Sequence, residues 1–433
     1  MYTMRTGKPF VYNLFVAIVL LVSNTSWAQS GITPEHIYMP NIRTVKLNLV
    51  GDYLTYPIIS LNGSEKVELN FDDLDNDVKS YFYTLVLCNA DWSVAQVNQV
   101  DYLRGFAEVP IRDYQFSSVS FQRYTHYRIE LPGQNCYPRK SGNYLLKVYL
   151  DGDTSKLAFT KRLLVVDNRA GVTGFISQPV NPKFFKTHQK VNFAVNTQML
   201  NVNNPFDQVK IVILQNNRWD NAIRNLKPMF LKGTIIEYNA ENDCLFPGSK
   251  EWRWVDLRSF RLQTERVQKS DYRRNGTDIW VMPDAERSNT RYFYLKDING
   301  QYFPGTLDGT DPSTQGDYAL VHFSYPSPEP LAGFDMYLYG ELTGYEYDVR
   351  NKLTYNAQTK AYEGNLFLKQ GYYNYMYGTV DRFNNTGLSM EITEGDSWET
   401  ENNYTILVYF RALGGRADEL VGRLTLNTLI DRR

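Results

Sequence analysis

The sequence predicts an all-β protein: tandem immunoglobulin-like β-sandwich domains following a cleaved signal peptide. Three observations carry that reading. Apolar residues recur with period two in segment after segment, while a 3.6-residue apolar repeat sustained over three turns appears nowhere. Aromatic residues make up 15% of the chain, with 33 tyrosines, a side chain that favours strands and can keep its hydroxyl wet. Short apolar runs are punctuated by Gly, Asn, Asp and Pro turn signals, the spacing of sandwich strands.

The N-terminus comes first. Arg5 and Lys8 precede an apolar run from Val11 to Val22, and Ser26-Trp27-Ala28 follows. A charged head, a short apolar middle and a small-x-small close make a secretory signal, residues 1–28, cut between Ala28 and Gln29. The run is short for a membrane span of ~20 residues. No cysteine stands at the cut, so no lipid anchor is expected. The formal net charge of −1 gives no global pull toward nucleic acid or anionic lipid, which leaves recognition to shape and local chemistry. Three cysteines, Cys88, Cys136 and Cys244, are too few for a stapled scaffold. Cys88 reads as a small core residue, with a Cys88–Cys136 disulfide as the alternative.

An N-terminal β-sandwich is expected over 29–168. VKLNLV and KVELNF alternate like the arms of a hairpin, with Val45, Leu47 and Leu49 opposite Lys46 and Asn48. SYFYTLVLC is apolar on both faces, as in a doubly covered strand. YTHYRIELP puts Tyr127, Ile129 and Leu131 on one face and His126, Arg128 and Glu130 on a polar face expected at the surface. SGNYLLKVYL and LAFTKRLLVVD complete the unit, and the long connection from Trp92 to Phe121, with scattered aromatics, reads equally as a working surface or as a packed loop. A middle β domain over 169–305 takes VNFAV, VKIVIL, GTIIEY, EWRWVDL, TDIWVM and RYFYL as strands. GTLDGTDPSTQG reads as a linker or long loop. A C-terminal immunoglobulin-like domain over 306–433 takes YALVHFSYP, FDMYLYG, YEGNLFLKQGYYNYMYG, YTILVYFRAL and the tail.

Chemistry is sparse. Asp73, Asp75 and Asp77 have the opening spacing of a calcium loop, but Val78 and Thr84 stand where glycine and a bidentate glutamate are required. His36, His126, His188 and His322 show no metal-ligand spacing. Neither a nucleophile motif nor a phosphate-cradling loop is present, so no catalytic residue, metal or cofactor is expected. Trp252 and Trp254, two apart, share a strand face as a sugar-stacking platform requires, with core packing as the competing reading. MYLYGELTGY and LFLKQGYYNYMYG resemble strands of immunoglobulin-like glycogen-binding modules, which makes a periplasmic or surface polysaccharide-binding protein the alternative function.

LVLCNADW, DYLRGF, YTHYRIELP, SGNYLLKVY and ITEGDSWETENNYTILVYFR resemble, in that order, the plug proteins of the type IX secretion translocon, a family of exported Bacteroidetes proteins. The resemblance implies a non-enzymatic protein of the periplasm, at the inner face of the outer membrane. Such a protein would bind and seal the giant outer-membrane β-barrel when no cargo is passing, as a monomer within that complex. No nucleic acid and no direct lipid anchor are implied. The exported protein is expected to begin at Gln29: its intact mass should lack residues 1–28, and a mass retaining them would contradict the cleavage.

Overall fold

Period-two patterning between Ile42 and Val166 forms the first sandwich. In the computed structural model, which describes residues 33–384 and 387–433, strands Ile42–Leu49, Val67–Asp73, Thr125–Leu131 and Asp113–Phe116 make one sheet. Strands Ile58–Ser60, Leu157–Val166, Gly142–Leu150, Tyr81–Cys88 and Val109–Pro110 make the other. The pairing is antiparallel except where Ile58–Ser60 runs parallel to Leu157–Val166. Leu47, Leu69, Phe71 and Tyr127 from one sheet meet Tyr81, Leu85, Tyr144 and Val148 from the other in a closed core. Phe71 stacks on Tyr127 at 5.0 Å. The Ala28–Gln29 cleavage site lies outside the described residues.

The second sandwich departs from the contiguous division at 305/306. One of its sheets is local: Gly171–Ser177, His188–Asn196, Ile235–Tyr238 and Phe230–Lys232, with Leu245–Pro247 also on His188–Asn196. The other combines Ile223–Arg224 and Val209–Gln215 with Asn403–Phe410 and Glu419–Asn427 from the far end of the chain. The physical reason is the two-sided apolar character of Val209–Gln215, which one local sheet cannot satisfy. Ile211 and Ile213 face the sandwich core with Ile406 and Val408, while Val212 and Leu214 face outward with Leu407 and Tyr409.

The third β unit is therefore an insertion. Strands Arg253–Asp256 and Asp278–Val281, expected in the middle domain, belong to it: the first pairs with Gly371–Asp381, the second lies parallel to Tyr318–Pro326. RYFYL, at 291–295, forms no strand, and the expected linker at 305–316 is a loop within this unit carrying the short helical turn Pro312–Gln315.

Both outer faces of the first sandwich are covered. On one side Ile58, Cys88, Trp92, Leu145 and Leu164 pack against Val212, Leu214, Trp219, Leu407 and Tyr409 of the second sandwich. The Arg162 guanidinium lies over both Trp92 and Trp219, at 5.2 and 5.3 Å. On the other side the alternating polar face carrying Lys46, Asn48, Asn70, Asp72 and His126 is buried. The Lys369 ammonium, from strand Ala361–Lys369 of the inserted unit, sits 2.7 Å from an Asp72 carboxylate oxygen, and both side chains are 1% exposed. Tyr318 donates its hydroxyl proton to the same oxygen at 2.6 Å, and Lys46 pairs with Glu341 at 2.7 Å. His126 lies on the other Asp72 oxygen at 2.7 Å, so it is an interface residue and not the surface residue its alternation suggested. Burial pushes the Asp72 carboxyl up, but Lys369 and His126 outweigh it and hold it below the ordinary range.

Removing one member of such a pair strands the other charge. Lys369→Met is expected to cost about 3 to 5 kcal/mol of stability in urea unfolding. The double variant Asp72→Asn/Lys369→Met should recover a good part of that loss; a single variant as stable as the parent would refute the pairing.

Candidate functional site

The Asp73, Asp75 and Asp77 set surrounds the Lys79 ammonium, 2.8 Å from Asp73 and 3.4 Å from Asp77, with Asp75 in direct contact. Asn41 and Tyr81 also donate to Asp73. A lysine thus holds the position a cation would take, and the calcium-loop spacing serves a turn.

Cys88 and Cys136 are buried free thiols, so the disulfide weighed from the sequence is not made. Strand alternation gives the reason. Tyr81, Tyr83, Leu85 and Leu87 point into the core that includes Cys136, whereas Cys88 points the opposite way, into the contact with the second sandwich. Burial pushes both thiols up to about 11, which disfavours the reactive thiolate.

The tryptophans do not form a platform. Trp252 is 3% exposed, lies parallel to Tyr339 at 6.4 Å, and is backed by Gly300, where a Cβ would come within 2.5 Å of the indole. Trp254 is half-buried, its indole N–H donating to Glu265 at 3.1 Å. Each remaining histidine has a local partner: His36 touches Glu346, His188 touches Thr187, and His322 touches Asp278 while stacking on Trp280.

The connection from Trp92 to Phe121 divides into a pinned part and a displayed part. Ser118 N–H donates to the Thr314 carbonyl at 2.9 Å, the Phe121 and Gln122 amides donate to the Asp317 carboxylate, and Phe121 stacks on Tyr272 at 4.8 Å. Between these contacts and the core lies the strand Asp113–Phe116, the last strand of its sheet, exposed along its whole length. Tyr114 and Phe116 remain 41% and 50% exposed there, with Phe106 and Val119 displayed from the same connection. A second free edge, Phe230–Lys232, displays Phe230 and Leu231 beside Met229 and Ile235. An open strand edge offers unpaired backbone donors and acceptors, and aromatic side chains beside it supply contact area at low entropic cost. These edges suit docking to a protein. A cavity of about 600 Å³ over residues 168–172 is lined by no carboxylate or histidine.

One metal-compatible set exists among the described residues: Glu251, Asp297 and Glu401 each bring a carboxylate oxygen within 4.8 Å of the others. Within the set Glu251 is 2% exposed, while Asp297 and Glu401 are half-buried. Sequence reasoning missed it because the residues share no motif and meet only through the fold. No helix among the described residues is long and apolar enough to cross a membrane.

Residues 42–167 match the family model described as the first domain of the type 9 secretion system plug protein. That match falls on the first sandwich. A solved structure of a hypothetical protein from Parabacteroides merdae is similar over 92% of this chain and 99% of its own length, at 32% identity and a TM-score of 0.87. No curated protein matches.

Because Asp113–Phe116 is an exposed edge strand, where the ring contacts of Tyr114 among the described residues are to Phe116 and Tyr127 alone, Tyr114→Glu/Phe116→Glu is expected to leave unfolding free energy within about 0.5 kcal/mol per substitution. A larger loss in urea titration would show that the edge is structural.

Proposed function

The chain belongs to the type IX secretion system plug protein family, and we propose that it binds and seals the periplasmic opening of the outer-membrane β-barrel translocon when no cargo is in transit. The family match over 42–167 carries this reading. As a component of type IX secretion it acts in the cell envelope, and the periplasm is the compartment the proposed contact requires.

The build suits a stopper. A seal needs a body whose parts do not shear, and here the first sandwich is held on one side by an apolar contact and on the other by buried ion pairs. Arg218 adds a third tie between the second sandwich and the inserted unit, bonding Asp220 at 2.8 Å and the Tyr339 hydroxyl at 2.9 Å. With a net charge of −1, attachment depends on shape and on the displayed aromatic edges more than on long-range attraction. The role is structural rather than catalytic. Nothing in the arrangement of Trp252 and Trp254 favours the polysaccharide-binding alternative.

Affinity isolation of the tagged protein is expected to recover the barrel, to tolerate ~0.5 M NaCl, and to fall about tenfold with Tyr114→Glu/Phe116→Glu. Deleting the gene should make the outer membrane leakier to large solutes. Absence of the barrel from the isolate together with unchanged permeability would overturn the proposal.

A further inference from the structure

The chain passes from the second sandwich into the inserted unit through residues 247–252 and returns through 395–402. The two crossings are bonded to each other. Ser397 N–H donates to the Ser249 carbonyl at 2.8 Å, Ser249 N–H donates to Asp396 at 2.7 Å, and Glu401 N–H donates to Glu251 Oε1 at 3.1 Å. Glu251 belongs to the inbound crossing and Glu401 to the outbound one. Asp297 reaches the same point from the irregular segment before strand Tyr302–Pro304.

The three carboxylates are incompletely served. Tyr292 donates to Glu251 Oε1 at 2.5 Å, the Trp252 and Asn299 amides donate to Asp297 at 2.5 and 2.7 Å, and Asn299 Nδ2 donates to Glu401 at 2.8 Å. Asn427 Nδ2 also donates to Glu401. Neutral donors are all they have: among the described residues no Lys, Arg or His forms an ion pair with any of the three. Other buried carboxylates behave differently, since Asp72, Asp284, Glu394 and Asp418 each hold a cationic side chain within 3.0 Å.

A second observation points to what is missing. Glu251 Oε2 and Asn299 Oδ1 are buried and accept no hydrogen bond. Glu251 is 2% exposed, so water cannot freely replace the absent partner. The Asn299 oxygen belongs to the same amide whose nitrogen already bonds Glu401. Three carboxylates and a neutral amide oxygen form a hard, all-oxygen donor set, which irregular backbone can present at the ~2.4 Å bond lengths of calcium.

We propose that Glu251, Asp297 and Glu401, with the amide oxygen of Asn299, bind one calcium ion that clips the inbound crossing of the inserted unit to its outbound crossing. The site is independent of the docking role. Its consequence is a fixed orientation of the inserted unit on the second sandwich.

The test uses the full mature chain, stripped with EDTA and titrated with Tb³⁺. The expected result is a single sensitised emission site, excited through Trp252 and Tyr292, displaced by Ca²⁺ far better than by Mg²⁺, and a Tm raised by Ca²⁺. Glu251→Gln should weaken Tb³⁺ binding about tenfold or more without lowering the Tm measured in EDTA, because it removes an uncompensated buried charge. Asp75→Asn, in the turn already neutralised by Lys79, should bind as the parent does. No emission with no Ca²⁺-dependent change in Tm, parental affinity in Glu251→Gln, equal displacement by Mg²⁺, or loss of binding in Asp75→Asn would each overturn the assignment.

Discussion

The Asp72–Lys369 ion pair is the constraint on which the arrangement of the chain depends. A carboxylate and an ammonium removed from water are tolerated only when each is paired and its remaining hydrogen-bonding capacity is filled. Here Tyr318 and His126 complete Asp72, while the Ser313 carbonyl and the Tyr124 ring face complete Lys369. That geometry exists in one register of one sheet face against one strand of the inserted unit. An apolar contact tolerates sliding; this one does not. Specificity of orientation is therefore set on the polar side of the first sandwich, while the opposite side, with Leu164, Leu214 and Leu407, contributes area.

The return of strands Asn403–Phe410 and Glu419–Asn427 has a related consequence. The second sandwich cannot close its core until the inserted unit has been made and the chain has come back, because Ile406 and Val408 are half of the packing around Ile211 and Ile213. The crossings are thus a mechanical necessity of the topology, and the network around Glu251 and Glu401 lies where any relative motion of the two units would be expressed. Under the proposed sealing role, stiffness at this point matters more than stiffness at a loop tip.

Much of the strand pattern was legible. Runs such as Tyr81–Cys88 and Gly142–Leu150 announce themselves because alternation is local, and turn residues bound them. Less legible was the meaning of a polar face. His126 and Lys46 alternate with apolar residues as solvent-facing side chains do, and nothing within a few residues distinguishes a face that meets water from one that meets Lys369 or Glu341. At Trp252 core packing is what the structure shows, since it packs with Tyr339 and Met376; a spacing of two along the chain does not distinguish a buried indole from a displayed one. The displayed aromatics of the Trp92–Phe121 connection were suggested by its length and irregularity. Their division into a pinned Phe121 and an exposed Phe116 required the inserted unit to be in place.

By itself the sequence determined the class, most of the strand positions and the blocks that mark the family, because each of these is written in neighbours along the chain. Only the tertiary structure decided which strands share a sheet, which polar faces are hidden and which acids converge. Those outcomes depend on pairing and charge compensation between segments far apart in the chain, as Asp72 with Lys369 and Glu251 with Glu401 are.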